Sequence, residues 1–186
     1  NFQSVWSYPL IAEQMKHLKI DVILTSPLAR TIETATIIGE TLGVEVQVNE
    51  DLREFNFGDY KGMLATDFRA IKSIHENLRV RVPNGESFKD GAHRFMKVIH
   101  TCEETYDGKN ILIITHGSNV YMGIHEAELS TNEETISKGR TKHGINVVNS
   151  EVISFVPKLI PRDETGATTG FNGIVQTMDI VHILIR

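Results

Sequence analysis

Apolar positions along this chain fall into two rhythms. Ile11, Met15 and Leu18 keep helical spacing, and Ile20-Asp21-Val22-Ile23-Leu24 after them is a short β-branched run of the kind that parallel sheets bury. Ser26 then offers an N-cap and Pro27 a first helical residue, predicting a helix through Ile32, Ala35, Ile38 and Leu42 that Gly43 stops. Val44, Val46 and Val48 alternate as a second strand, and residues 51–62 read as a glycine-bearing loop. Helical patterns return over residues 63–78 and 87–106. The latter opens with Ser87 and has Asp90 three residues on, the spacing of a capping box. Residues 110–115, Asn-Ile-Leu-Ile-Ile-Thr, carry the strongest buried-strand pattern, with His116-Gly117-Ser118 at their end and a helix expected through Leu129. Residues 147–148 and 152–155 read as late strands with a hairpin turn at Asn149-Ser150. Residues 158–173, rich in Pro, Gly, Thr and charge, read as a linker or long loop, and residues 180–185 as one more buried strand. Strands alternating with helices predict an α/β fold, a three-layer α/β/α sandwich around a mostly parallel central sheet.

The length of 186 residues fits one domain spanning the chain, large enough to bury a sizeable core. With 40% apolar and 23% charged residues, collagen-like, disulfide-rich and strongly charged disordered classes are excluded. A net charge of -5 with scattered basic residues argues against nucleic acid as a partner. No apolar run reaches the roughly 18–20 residues needed to cross a bilayer, and residues 1–10 lack the regions of a signal peptide. The lone Cys102 cannot form an internal disulfide and suits a reducing compartment, so the expected location is the cytoplasm.

Ligands of open parallel sheets bind beyond the carboxyl ends of the strands, where helix N-termini supply backbone donors. Three polar signals fall at such ends: Arg30 after the first strand, His116 after the strand 110–115, and Arg186 after the last. Two arginines and a histidine converging there make an anion site, because guanidinium forks match phosphate oxygens. Taken singly, Arg30 also reads as a solvated first-turn residue, His116 as a capping histidine and Arg186 as surface. Glu54 stands among Leu52, Phe55 and Phe57, which could desolvate it into a general acid; the alternative is a surface pair with its neighbour Arg53. His93, Lys97 and His100 on the 87–106 helix could border a pocket or form a solvated face. His125-Glu126-Ala127-Glu128 fails as a His-Glu-x-x-His zinc motif, so no metal is expected, and no phosphate loop of the Gly-x-x-x-x-Gly-Lys-Ser/Thr kind is present. The charges of Glu103 and Glu104 should raise the Cys102 thiol and disfavour it as a nucleophile.

Several segments, in order, resemble the histidine phosphatase superfamily, whose fold is the phosphoglycerate mutase-like one. Thr25-Ser26-Pro27-Leu28-Ala29-Arg30-Thr31-Ile32-Glu33-Thr34-Ala35 is similar to its Ser-x-Leu-x-Arg-x-x-x-Thr-Ala segment, and Leu52-Arg53-Glu54 with Phe57-Gly58 and Gly62 to its acid loop. Pro83-Asn84-Gly85-Glu86-Ser87 resembles its Pro-Gly-Gly-Glu-Ser turn, and Ile113-Ile114-Thr115-His116-Gly117 its second-histidine motif. Residues 178–186 resemble the family's first strand, which normally stands at the N-terminus and ends Arg-His-Gly. The order therefore looks circularly permuted, with residues 158–177 as the joint. The resemblance implies a nucleophilic histidine directly after Arg186. The sequence has none there, and the expectation is that residues outside this sequence supply it.

The resemblance further implies a two-step mechanism through a phosphohistidine. Arg186, Arg30, His116 and helix N-terminal amides such as that of Gly117 would hold the phosphoryl oxygens, and Glu54 would serve as acid and then as base, with no metal or other cofactor. A small phosphorylated metabolite is the expected partner and a homodimer a candidate assembly. The first expectation is a phosphomonoester hydrolase, favoured by the short interval 63–82 where mutases carry a long insert. The alternatives are a phosphoglycerate mutase-type enzyme and, if the chain ends at Arg186, a phosphate-binding module without turnover.

Overall fold

Short runs of Val, Ile and Leu with few polar interruptions favour extended backbone, and once buried such strands satisfy their N–H and C=O groups by pairing with one another. In a computed structural model, which describes residues 8–64, 79–120, 152–155 and 180–185 and the single positions 67, 71 and 123, five such runs form one sheet. They are β1 (Val22–Thr25), β2 (Val46–Val48), β3 (Asn110–Thr115), β4 (Val152–Phe155) and β5 (Ile180–Ile185), in the order β2-β1-β3-β5-β4. β1 runs parallel to β2 and β3, and β3 parallel to β5; only β4 is antiparallel to its neighbour. The sheet is thus mostly parallel, as expected. β5 takes the interior position beside β3, and Thr115 pairs with Ile185, so the two strands finish level.

Because side chains alternate along a strand, β3 feeds two cores. Ile111 and Ile113, with Leu24, pack against Phe95, Met96, Val98, Ile99 and Cys102 of helix α3 (Phe88–Thr105). Leu112 and Ile114, with Ile23, pack on the other face against α1 (Tyr8–Met15) and α2 (Ala29–Leu42). Helices therefore cover both faces of the sheet, which is the three-layer arrangement. All four β3 residues are fully buried, and truncating any one to Ala would cost about 2–5 kcal/mol. None of the described helices is long and apolar enough to cross a membrane.

Local differences from the sequence reading have physical causes. α2 starts at Ala29 with Leu28 as N-cap, two residues later than Ser26 and Pro27 suggest. The Ser26 hydroxyl accepts from the Leu28 N–H at 3.3 Å, making a turn that precedes the helix. Gly43 does end α2, and the Ser87–Asp90 capping box opens α3 with both reciprocal bonds in place. Val44 is left out of β2, and β1 begins at Val22 because Asp21 turns its carboxylate to the Asn110 N–H at 2.9 Å. Met63 and Leu64, expected in a helix, are exposed and not helical. The remainder of that helix apart from positions 67 and 71, the strand 147–148 with its turn at Asn149-Ser150, the linker 158–173, the helix end at Leu129 and Arg186 lie outside the described residues.

Candidate active site

The segment between β2 and α3 runs through two single-turn 3-10 helices, Glu50–Leu52 and Gly58–Tyr60. At the end of the first, the backbone carbonyls of residues 51–53 each accept from a side chain. Arg94 on α3 donates from Nη1 to Asp51 O at 2.7 Å and Arg53 O at 2.8 Å. Asn119 donates from Nδ2 to Leu52 O and Arg53 O, both at 2.8 Å, and the Thr115 hydroxyl adds a bond to Leu52 O at 2.9 Å. The rest of the Arg94 fork closes on Glu86, Nε to Oε1 at 2.9 Å and Nη2 to Oε2 at 3.0 Å, while Glu86 Oε2 accepts the Asn56 N–H at 2.9 Å. Burial would raise the Glu86 carboxyl, but the Arg94 fork and the Asn56 amide outweigh it and hold it below its usual range.

The far side of the loop is held by backbone contact. Gly58 has φ +48°, and a Cβ there would stand 2.0 Å from Pro83 O; a Cβ at Gly85 would stand 2.4 Å from Asn56 O. Only residues without side chains let the 83–87 turn lie this close to the loop. Phe55 is buried between Phe57, edge-on at 5.0 Å, and Phe88, stacked at 5.2 Å. With Phe55 anchored and carbonyls 51–53 tied down, the side chain of Glu54 is aimed at the carboxyl ends of β1 and β3.

There it meets Arg30 from the first turn of α2 and His116 from the end of β3. Arg30 Nη2 donates to Glu54 Oε2 at 3.2 Å and to His116 Nδ1 at 2.8 Å. A guanidinium can only donate, so Nδ1 accepts and the imidazole proton sits on Nε2, which donates to Ser26 Oγ at 2.7 Å. His116 is fully buried, and its Nδ1 also lies 3.5 Å from Glu54 Oε2. Glu54 Oε1 accepts from the Ser118 hydroxyl and from the Phe55 N–H at 3.2 Å. The Arg30–Glu54 pair is partly exposed and worth about 1 kcal/mol or less, so Arg30 can exchange this partner for an anion at little cost.

Three of the candidates therefore converge: Arg30, Glu54 and His116, with Gly117 opening the helical turn behind the histidine. Arg186 follows β5 in the sequence and lies outside the described residues. The expected Arg53–Glu54 alternative is replaced: Arg53 reaches Glu50 at 3.5 Å instead. On α3, His93 and Lys97 are exposed, and Lys97 pairs with Asp51 at 2.7 Å. The Cys102 thiol is pushed up to about 12 by burial inside α3 and not by the neighbouring glutamates. Sequence reasoning missed Arg94, Asn119 and Ser118. Arg94 lies on α3 while Glu86 precedes its Ser87 N-cap, so no helical spacing rule links the two in the sequence.

A family model described as histidine phosphatase superfamily (branch 1) matches residues 5–150. Among curated proteins, the chain is 31% identical over 109 residues to "Uncharacterized phosphatase PhoE" of Bacillus subtilis, covering 59% of this chain and 54% of that one. It is also 31% identical over 120 residues to "Probable phosphoglycerate mutase GpmB" of Yersinia enterocolitica, covering 58% and 53%. The chain thus spans about half the length of the curated relatives it matches. Among solved structures, the mycobacterial glucosyl-3-phosphoglycerate phosphatase Rv2419c superposes with a TM-score of 0.63 at 20% identity, covering 74% of this chain and 72% of that one. Bacillus stearothermophilus YhfR gives 0.62 at 19% identity, covering 92% and 83%; both likenesses establish the fold.

Proposed function

The chain belongs to the histidine phosphatase superfamily, and on that premise we propose that it is a phosphomonoester hydrolase acting on small phosphorylated metabolites in the cytoplasm, through a phosphohistidine and without a metal. The observation that carries this reading is the Arg30 guanidinium held between Glu54 and His116 at the carboxyl ends of parallel strands. That arrangement gathers a phosphate-binding cation, a proton donor and an imidazole around one point.

In the first step the histidine that the family resemblance implies after Arg186, and not His116, attacks phosphorus as the ester P–O bond breaks, and Glu54 gives its proton to the departing alkoxide. In the second, Glu54 takes a proton from water, whose oxygen attacks phosphorus as the P–N bond breaks, releasing inorganic phosphate. Arg30 and Arg186 hold the equatorial oxygens, with His116 and the amide of Gly117 beside them. The pairing of β5 with β3, level at Thr115 and Ile185, supports Arg186 for this role and supports residues 178–186 as the counterpart of the family's first strand.

The likeness to a protein named as a phosphoglycerate mutase favours a second reading, phosphoryl transfer between positions of one substrate. Product analysis separates the two: hydrolysis liberates inorganic phosphate, and a mutase yields an isomer. The test of the site itself uses the full-length protein with an alkyl phosphate and an activated aryl phosphate. Arg30→Ala should lower kcat/KM for both, by roughly a hundredfold. Glu54→Gln should cost roughly 10²–10⁴-fold on the alkyl ester and far less on the aryl ester, whose leaving group needs no proton. Equal loss on both esters rules out Glu54 as the acid, and a wild-type protein that neither hydrolyses nor isomerises any phosphomonoester overturns the reading.

A further inference from the structure

The two oxygens of Glu54 have different surroundings. Oε1 takes two donors, the Ser118 hydroxyl and the Phe55 N–H, and Phe55 N also lies 3.5 Å from Ser118 Oγ, so the three groups form one small cluster. Oε2 faces the site, toward Arg30 and His116. An oxygen that already accepts two hydrogen bonds cannot also carry a proton without losing a donor. Once a phosphate draws Arg30 away, Oε2 has lost its cation and is the oxygen left to be protonated.

Resting on the hydrolase reading, we propose that Ser118 is a positioning residue that pins Oε1 of Glu54 and thereby makes Oε2 the oxygen that exchanges the proton with leaving group and water. Ser118 stands in the helical turn that begins at Gly117, directly behind His116, so one short segment sets both the imidazole and the acid. Among the described residues, the charged or titratable groups facing Glu54 are Arg30 from α2 and His116 from the end of β3. The Ser118 hydroxyl donates to the carboxylate and so favours its charged form. Removing that hydroxyl should leave the carboxyl free to rotate and both of its oxygens free to take the proton.

The experiment is Ser118→Ala and Ser118→Thr in the full-length protein, with kcat and KM on an alkyl and an aryl phosphate across pH. For Ser118→Ala the expected result is an alkyl-ester kcat about tenfold lower relative to that of the aryl ester, with KM little changed. The alkaline limb of the alkyl-ester profile should move while that of the aryl ester stays in place, because only the alkyl ester needs the proton. Ser118→Thr, which retains the hydroxyl, should restore both. Equal losses on the two esters, an unmoved alkaline limb, or no loss at all overturns the proposal. If Glu54→Gln still discriminates between the esters in the same experiment, only the role of Ser118 fails; if it does not, the acid role of Glu54 fails with it, and the hydrolase reading falls only if the wild type turns over neither ester.

Discussion

Replacing Arg94 by Met keeps the aliphatic stem that packs along α3 and removes the fork, isolating the polar role of this residue. Four hydrogen bonds go with it, two to the Glu86 carboxylate and two to the carbonyls of Asp51 and Arg53. The side chains of the pair are 13% and 19% exposed, so Glu86 would be left as a mostly buried charge without its cation. Breaking a fully buried pair costs about 3–5 kcal/mol; because Glu86 keeps the Asn56 N–H and some access to water, about 2–4 kcal/mol is expected here. Urea unfolding of the full-length protein and the variant, followed by tryptophan fluorescence and circular dichroism, measures the difference. Its pH dependence has a definite sign. The native Glu86 carboxyl is held below its usual range, so its contribution is complete above the unfolded value, near 4.5, and is lost as pH falls through the folded value. The gap between the wild type and Arg94→Met should therefore be widest near neutrality and narrow steadily below about pH 4.5. A gap under about 0.5 kcal/mol at pH 7, or one that stays constant down to pH 3, would refute the clamp as described.

Gly58→Ala should destabilise by about 2 kcal/mol or more, since the new Cβ meets Pro83 O at 2.0 Å in a left-handed backbone; thermal denaturation reads it directly. Ser87→Ala should cost about 1 kcal/mol by opening the α3 cap, and adding Asp90→Ala should cost less than the sum of the single changes because the two residues share the box. The Cys102 thiol, raised to about 12 by burial, should stay unreactive toward a disulfide reagent at pH 8 until the protein is unfolded in urea.

What was legible in the sequence is what local patterning controls. β3 and β5 appear at the boundaries their apolar runs mark, and the capping box of α3 is written in the Ser87–Asp90 spacing. The start of α2 was misread because Ser26 has a long-range partner. Its hydroxyl oxygen accepts from His116 Nε2, ninety positions away, and a bond of that span leaves no mark near residue 26. Glu54 shows the same effect. Its neighbour Arg53 is the obvious local partner, but successive side chains of an extended segment point apart, sending Arg53 to Glu50 and Glu54 to Arg30.

Strand direction explains why the site residues were readable to different degrees. In a parallel sheet the residues after each strand gather at one edge, so recognising β1 and β3 as parallel neighbours is enough to bring Arg30 and His116 together across 86 positions. Glu54 follows no such rule, because it sits on a loop whose course is set by side chains and not by a ladder. Arg94, Asn119 and Thr115 hold that loop by its carbonyls, and each is anchored on an element whose own position the sheet determines. Glu54 is therefore placed at second hand: the sheet fixes α3 and the turn after β3, these fix carbonyls 51–53, and the carbonyls aim its side chain. On the proposed function, a change at Arg94 should accordingly reach the proton transfer assigned to Glu54 before it reaches phosphate binding by Arg30 and His116, which rest directly on α2 and β3.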